Sequence, residues 1–174
     1  MVALWFALED VLVANSCVAS KVDSPARDTG VRRGQRPKAG KYRRIITFRQ
    51  FGNSEPLSRR RRGIYEVPIQ ISCYSVEGQG VAGDRLCDEL AECVINLLTS
   101  PDPACSFNVL MKGDPCISAA DYGLIVYEVR FDGQQGPLRF DNVAQGWVED
   151  LRFTFVASTC SHDTASTILP RLNC

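Results

Sequence analysis

Between Gly63 and Val76 the chain alternates. Tyr65, Val67, Ile69, Ile71 and Cys73 fall on one side of an extended backbone, and Glu66, Pro68, Gln70 and Ser72 fall on the other. A two-residue period of this length predicts a half-buried strand in an antiparallel sheet. A helix is excluded here, because its apolar residues would recur every three to four positions. Pro68 has no N–H to give to a neighbouring strand, so it is expected at an edge position or a bulge. Tyr42–Phe51, with Ile45, Ile46, Thr47 and Phe48 at its centre, reads as a preceding strand. The two should form a long hairpin whose polar tip carries the run Arg59, Arg60, Arg61, Arg62.

The remaining elements follow from the same periods. Leu4, Leu8, Val11, Leu12 and Asn15 fit a helix with one apolar stripe. Glu9, Asp10 and Asn15 interrupt the apolar stretch Met1–Ala19 and no basic segment precedes it, so it reads as a soluble helix rather than a membrane span or signal peptide. Asp84–Leu98 is the strongest helix. Leu86, Leu90, Cys93, Val94, Leu97 and Leu98 form its apolar face, Asp84 can cap it, and Asp88 and Glu89 favour its first turns. The run Ser100–Pro103 stops it. Gly123–Phe131 and Trp147–Ala157 read as two further strands. The expected fold is α+β, in the order α-β-β-α-β-β: a single domain over residues 1–157 with a mostly antiparallel four-stranded sheet and helices on one face. Lys21–Lys41 reads as an Arg-rich loop or arm, mobile until bound, and Ser158–Cys174 as a polar tail.

Charge is divided unevenly along this plan. Residues 21–62 carry fourteen Lys or Arg against three Asp or Glu, a net of +11. Residues 63–174 carry six against fifteen, a net of −9, so the overall neutrality hides two opposed halves. Such a chain can offer unlike surfaces to copies of itself or to an asymmetric partner. The candidate contact residues are Arg32, Arg33, Arg36, Lys38, Lys41, Arg43 and Arg44, with Arg59, Arg60, Arg61 and Arg62. They would meet an acidic protein surface or DNA phosphates. Aromatic residues near them are few, which weakens a stacking mode for single strands.

The sequence points to no enzyme. Gly78, Gly80 and Gly83 spell G-x-G-x-x-G between a strand and a helix, the context of a dinucleotide site. Asp84 would repel the phosphate, however, and the preceding strand belongs to a hairpin rather than a parallel βαβ unit, so a flexible turn is the simpler reading. Cys160, His162 and Asp163 lie close together in the polar tail, a poor place to fix a nucleophile or a zinc ion. No catalytic residue, metal ligand or cofactor is therefore assigned. Of the eight cysteines, Cys73, Cys87 and Cys93 read as small buried hydrophobes. The one cystine that a loop-rich stretch would admit is Cys105 with Cys116.

The stretch Tyr65–Glu77 (YEVPIQISCYSVE) followed by Asp84–Leu98 (DRLCDELAECVINLL) resembles tail terminator proteins of long-tailed bacteriophages. The later strands Tyr122–Asp132 (YGLIVYEVRFD) and Asn142–Val156 (NVAQGWVEDLRFTFV) are similar in type and order. The resemblance covers residues 1–157. It implies a structural virion protein: a homohexameric ring, assembled in the host cytoplasm, at the head-proximal end of the tail. Such a ring caps the tail tube and joins it to the neck or connector. Its implied partners are further copies of itself, the tail tube protein, the neck or connector protein, the sheath in contractile tails, and genomic DNA passing through the lumen. The alternatives are another phage neck or minor tail protein, or a nucleic-acid-binding module using the basic region 21–62.

Overall fold

The computed structural model describes residues 2–34, 36–38, 40–56, 63–76, 82–99, 124–134 and 136–159. At its centre β4 (Ile64–Ser75) and β7 (Gly146–Thr159) run antiparallel, in register from Ile64 opposite Ser158 to Ser75 opposite Trp147. The other edge of β4 takes β2 (Arg44–Gln50) and then the two-residue β3 (Glu55–Pro56). The other edge of β7 takes β5 (Leu124–Gln134) and then β6 (Arg139–Asp141). β1 (Val31–Arg33) adds to β2 in the parallel sense. The helices are α1 (Val2–Ala14), α2 (Ser16–Lys21), a π-helical turn (Ala26–Gly30) and α3 (Gly83–Thr99).

The four-stranded α-β-β-α-β-β arrangement is therefore corrected: the described residues form four helices and a seven-stranded mixed sheet. The added elements are all short. α2, the π-helical turn, β1, β3 and β6 span two to six residues each, too few to show a period. Residues 21–41, read as an arm, supply the end of α2, the turn and β1. Val22 and Val31 are buried in the core. Lys21 pairs with Glu89 at 2.8 Å and Arg27 with Asp10 at 2.5 Å. Asp23 accepts from the backbone N–H groups of Arg43 (2.7 Å) and Arg44 (3.2 Å). Asn15, placed by sequence on the α1 stripe, instead caps α2, its side-chain oxygen accepting from the Val18 N–H at 3.0 Å.

The core lies between the sheet and the helices. Ile46 and Phe48 of β2, Val67, Ile69, Ile71 and Cys73 of β4, and Leu151, Phe153 and Phe155 of β7 share one buried cluster with Leu4, Leu8 and Leu12 of α1 and Leu90, Val94 and Leu98 of α3. Each large side chain removed from water here contributes about 1.5–3 kcal/mol. Trp5 stacks on Phe48 with centroids 5.8 Å apart. Pro68 sits in an interior strand. Its carbonyl accepts from the Phe51 N–H at 2.9 Å, so its ring nitrogen faces the gap between β2 and β3, where no ladder donor is needed.

The opposite sheet face holds a smaller cluster of Tyr42, Ile45, Tyr74, Ala144 and Val148. Gly146 is required there: a Cβ would lie 2.7 Å from the Tyr42 hydroxyl and 2.9 Å from the Ser75 carbonyl. The Tyr42 hydroxyl donates to the Ala144 carbonyl at 2.9 Å.

Cys93 is not a free buried thiol. It is bonded to Cys17, tying α3 to α2. Cys73 and Cys87 are free and buried, and burial pushes both thiols up, with the Cys87 Sγ donating to the Cys73 carbonyl at 3.1 Å. Cys105, Cys116, Cys160 and Cys174 lie outside the described residues. The Cys17–Cys93 bridge closes a long loop, with a sequence separation of 76. Cys17→Ser should lower stability by about 2–4 kcal/mol, read as a lower urea midpoint. An unchanged midpoint would show that the bridge contributes nothing in solution.

Candidate functional site

Strand register assembles a polar pocket on the sheet face away from the helices. One row across the sheet reads Arg32, Thr47, Ser72, Asp150, and the next reads Arg49, Gln70, Arg152. Arg139 enters from β6, opposite Val148. Arg36 reaches in from the segment after β1. Thr47, Ser72, Asp150, Arg49 and Gln70 of these rows, with Arg36 and Arg139, line a cavity of about 180 Å³.

Its floor is an oriented chain of hydrogen bonds. Arg49 donates to the Gln70 amide oxygen at 3.2 Å. The Gln70 amide donates to the Ser72 hydroxyl at 3.1 Å, and that hydroxyl donates to Asp150. Arg139 donates to the other Asp150 oxygen at 2.6 Å. Gln70, Ser72 and Asp150 are all buried, and each buried polar group has its partner, as a low-dielectric floor demands. Burial alone would push the Asp150 carboxyl up. The bonds from Ser72 and Arg139 overcome it and hold the group below the ordinary carboxylate range. The Arg139 guanidinium is correspondingly raised, first through its bond to Asp150.

The pocket is left with surplus positive charge. Arg36, Arg49 and Arg139 face Asp150 and the neighbouring Asp141, three cations to two anions, a surplus of +1. Arg36 lies 3.6 Å from Asp141, beyond a good hydrogen bond, and that carboxylate already accepts from the Val143 and Ala144 N–H groups. Among the described residues, the hydrogen-bond partner of the Arg49 side chain is a neutral amide. Such a pocket attracts an external carboxylate or phosphate, which can take two parallel N–H bonds from one guanidinium.

The other basic residues singled out by sequence are dispersed. Arg32, Lys38, Lys41 and Arg43 are exposed, and Arg44 is half-buried. The Arg33 guanidinium lies 4.5 Å from the centroid of the Phe6 ring, on the helix side. Arg59, Arg60, Arg61 and Arg62 lie outside the described residues, as do Gly78, Gly80, Cys160, His162 and Asp163. Gly83 is the buried first residue of α3, and β4 before it runs antiparallel to both β2 and β7. Among the described residues of that set, Arg36 alone lines the pocket. Arg49 could have been found, because β2 and β4 form the expected hairpin and their register sets it beside Gln70. Arg139 and Asp150 carry no such signal.

A second buried polar spot lies under α3. Glu149 is 3% exposed, accepts from the Gln134 amide and faces Asp88. Its Oε2 has no hydrogen-bond donor among the described residues. A proton on Glu149 supplies the missing donor, and burial, followed by repulsion from Asp88, raises its carboxyl from 4.5 to about 7. No family model matches the chain, and no curated protein matches it.

The raised Glu149 group binds its proton more tightly in the folded state than in the unfolded one. Stability from this site is therefore highest below pH 4.5 and is lost as pH rises to about 7, by up to about 3 kcal/mol. Glu149→Gln keeps the acceptor for Gln134 and removes the ionisation. Its urea midpoint should exceed that of the native protein at pH 8 and converge with it near pH 4.5. Parallel pH profiles for the two proteins would contradict this assignment.

Proposed function

We propose that this chain is a structural assembly subunit that closes into a ring and caps a tube, as tail terminator proteins of long-tailed bacteriophages do. The observation that carries the reading is a pocket with surplus positive charge on one sheet face and an exposed carboxylate, Glu92, on the helix that covers the other. Arg36, Arg49 and Arg139 line the pocket on the open face, apart from the Glu66–Arg130–Glu128 ion-pair group on the same face, whereas on the covered face the outward side of α3 presents the exposed Glu92, with Glu89 tied to Lys21 and Arg85. Complementary charged sites on opposite sides of a subunit favour head-to-tail contacts between copies, and such contacts close into rings when the rotation per copy allows. The sequence resemblance of Tyr65–Glu77 and Asp84–Leu98 to tail terminators adds to it. On this reading the partners are other copies of the chain, the tube protein on one ring face and the neck or connector on the other. The sheath surrounds the ring in contractile tails, and DNA crosses the lumen of the assembled virion.

A second reading has its own support. Lys38, Lys41 and Arg43 are exposed within a short stretch of chain, and they could neutralise phosphates of DNA. Against it, Lys21 and Arg27 are held by Glu89 and Asp10, and Arg33 lies over Phe6, which lowers the number of cations free for a backbone.

Sedimentation velocity and negative-stain imaging of the purified protein test the assembly reading. A discrete closed oligomer with a central hole is expected at low salt, or monomers that collect at the ends of tail tubes. A protein that stays monomeric at high concentration and ignores tubes would contradict it.

A further inference from the structure

Resting on the assembly reading, one contact between copies can be specified. We propose that the arginine pocket receives the outward side of α3 from a second copy, with Glu92 as the entering carboxylate. Glu92 is exposed in mid-helix, one turn from Asp88, and among the described residues it makes no ion pair. Two carboxylates at i and i+4 repel each other on an isolated helix. A cationic partner relieves that repulsion. The pocket lacks what Glu92 would bring, since its own carboxylate, Asp150, is fully occupied by Ser72 and Arg139. Arg49 retains unmatched charge, its hydrogen-bond partner among the described residues being a neutral amide, and Arg36 is held by Asp141 at the long distance of 3.6 Å.

Size and layout select the occupant. At about 180 Å³ the cavity is smaller than sites for drug-sized molecules, which run to roughly 300–1,000 Å³. It suits one carboxylate with some of its water. Duplex DNA would instead require cations spaced along its backbone. The pocket and the outward side of α3 lie on opposite faces of the sheet, so a copy cannot fill its own site. Nor can two copies fill each other's at once through a two-fold axis. The contact runs head to tail, each copy giving its helix to one neighbour and its pocket to the other, and its products are rings or filaments.

A charge exchange tests this. Arg49 is exposed, so Arg49→Glu should fold, and Arg36→Glu provides a second variant; circular dichroism melts check both. Each variant, and Glu92→Arg alone, should weaken self-association by at least about tenfold in sedimentation. Each of the paired variants places like charges across every contact. Mixing equal amounts of Arg49→Glu and Glu92→Arg should restore assembly, because alternating copies then put opposite charges across each one. Single variants that assemble like the native protein, or a mixture that stays dissociated, would overturn the contact while leaving the ring reading intact. A native protein that never assembles would overturn both. If Arg49→Glu abolishes binding to a short DNA duplex in a fluorescence anisotropy titration and leaves self-association unchanged, the pocket serves phosphate and the proposal fails.

Discussion

β4 and β7 are the axis of this molecule. β4 is paired along its whole length with β7 on one edge, and on the other with β3 at Tyr65–Glu66 and with β2 at Ile69–Ser75. Its alternate residues commit the two sides to different work. Val67, Ile69, Ile71 and Cys73 enter the main core under the helices, while Gln70 and Ser72 form the floor of the pocket. A slip of one residue between β4 and β7 would exchange those sets, placing an amide and a hydroxyl under α1 and α3 and four apolar side chains in the polar cavity. The register that builds the core therefore also builds the pocket, and neither can change alone.

The two faces are stabilised by different physics. On the covered face the dominant contribution is removal of large apolar side chains from water, reinforced where Cys17–Cys93 holds α2 to α3. On the open face a small aromatic and aliphatic cluster around Tyr42 and Tyr74 shields one end of the pocket, with the two rings edge to face at 6.2 Å. Beside it the hydrogen-bond chain from Arg49 to Arg139 crosses β2, β4, β7 and β6. Asp150 makes that chain possible. A single buried carboxylate satisfies a hydroxyl and a guanidinium, and its removal would leave Arg139 and Ser72 without their partner. Asp150 and Asp141 together do not balance Arg36, Arg49 and Arg139, and that imbalance leaves the pocket with surplus positive charge.

Much of the main frame was legible in the sequence, and for a stated reason. The strands around Ile45–Phe48, Val67–Cys73 and Leu151–Phe155 and the helix beginning near Asp84 are long enough to show a period, and helices do cover one face. What periodicity cannot resolve is an element of two to six residues, so β1, β3, β6 and α2 were invisible. Lys21–Lys41 looked unable to bury itself because its anchors are two isolated valines and ion pairs to Asp10 and Glu89, more than a dozen residues away along the chain. The Cys17–Cys93 bridge joins two helices whose adjacency no spacing rule expresses. The pocket was hidden for the same reason. Arg36, Arg49, Gln70, Arg139 and Asp150 are scattered over more than a hundred residues, and only the register of four strands brings them together.

The central claim is that the arginine-lined sheet face is where this protein meets another molecule. The most direct test is a cryo-electron microscopy reconstruction of the protein assembled at low salt, at a resolution that shows side chains. The account predicts Arg36 and Arg49 covered by a neighbour, with an acidic side chain between them. Assemblies in which that face stands open to solvent on every copy, with the contacts made elsewhere, would contradict it.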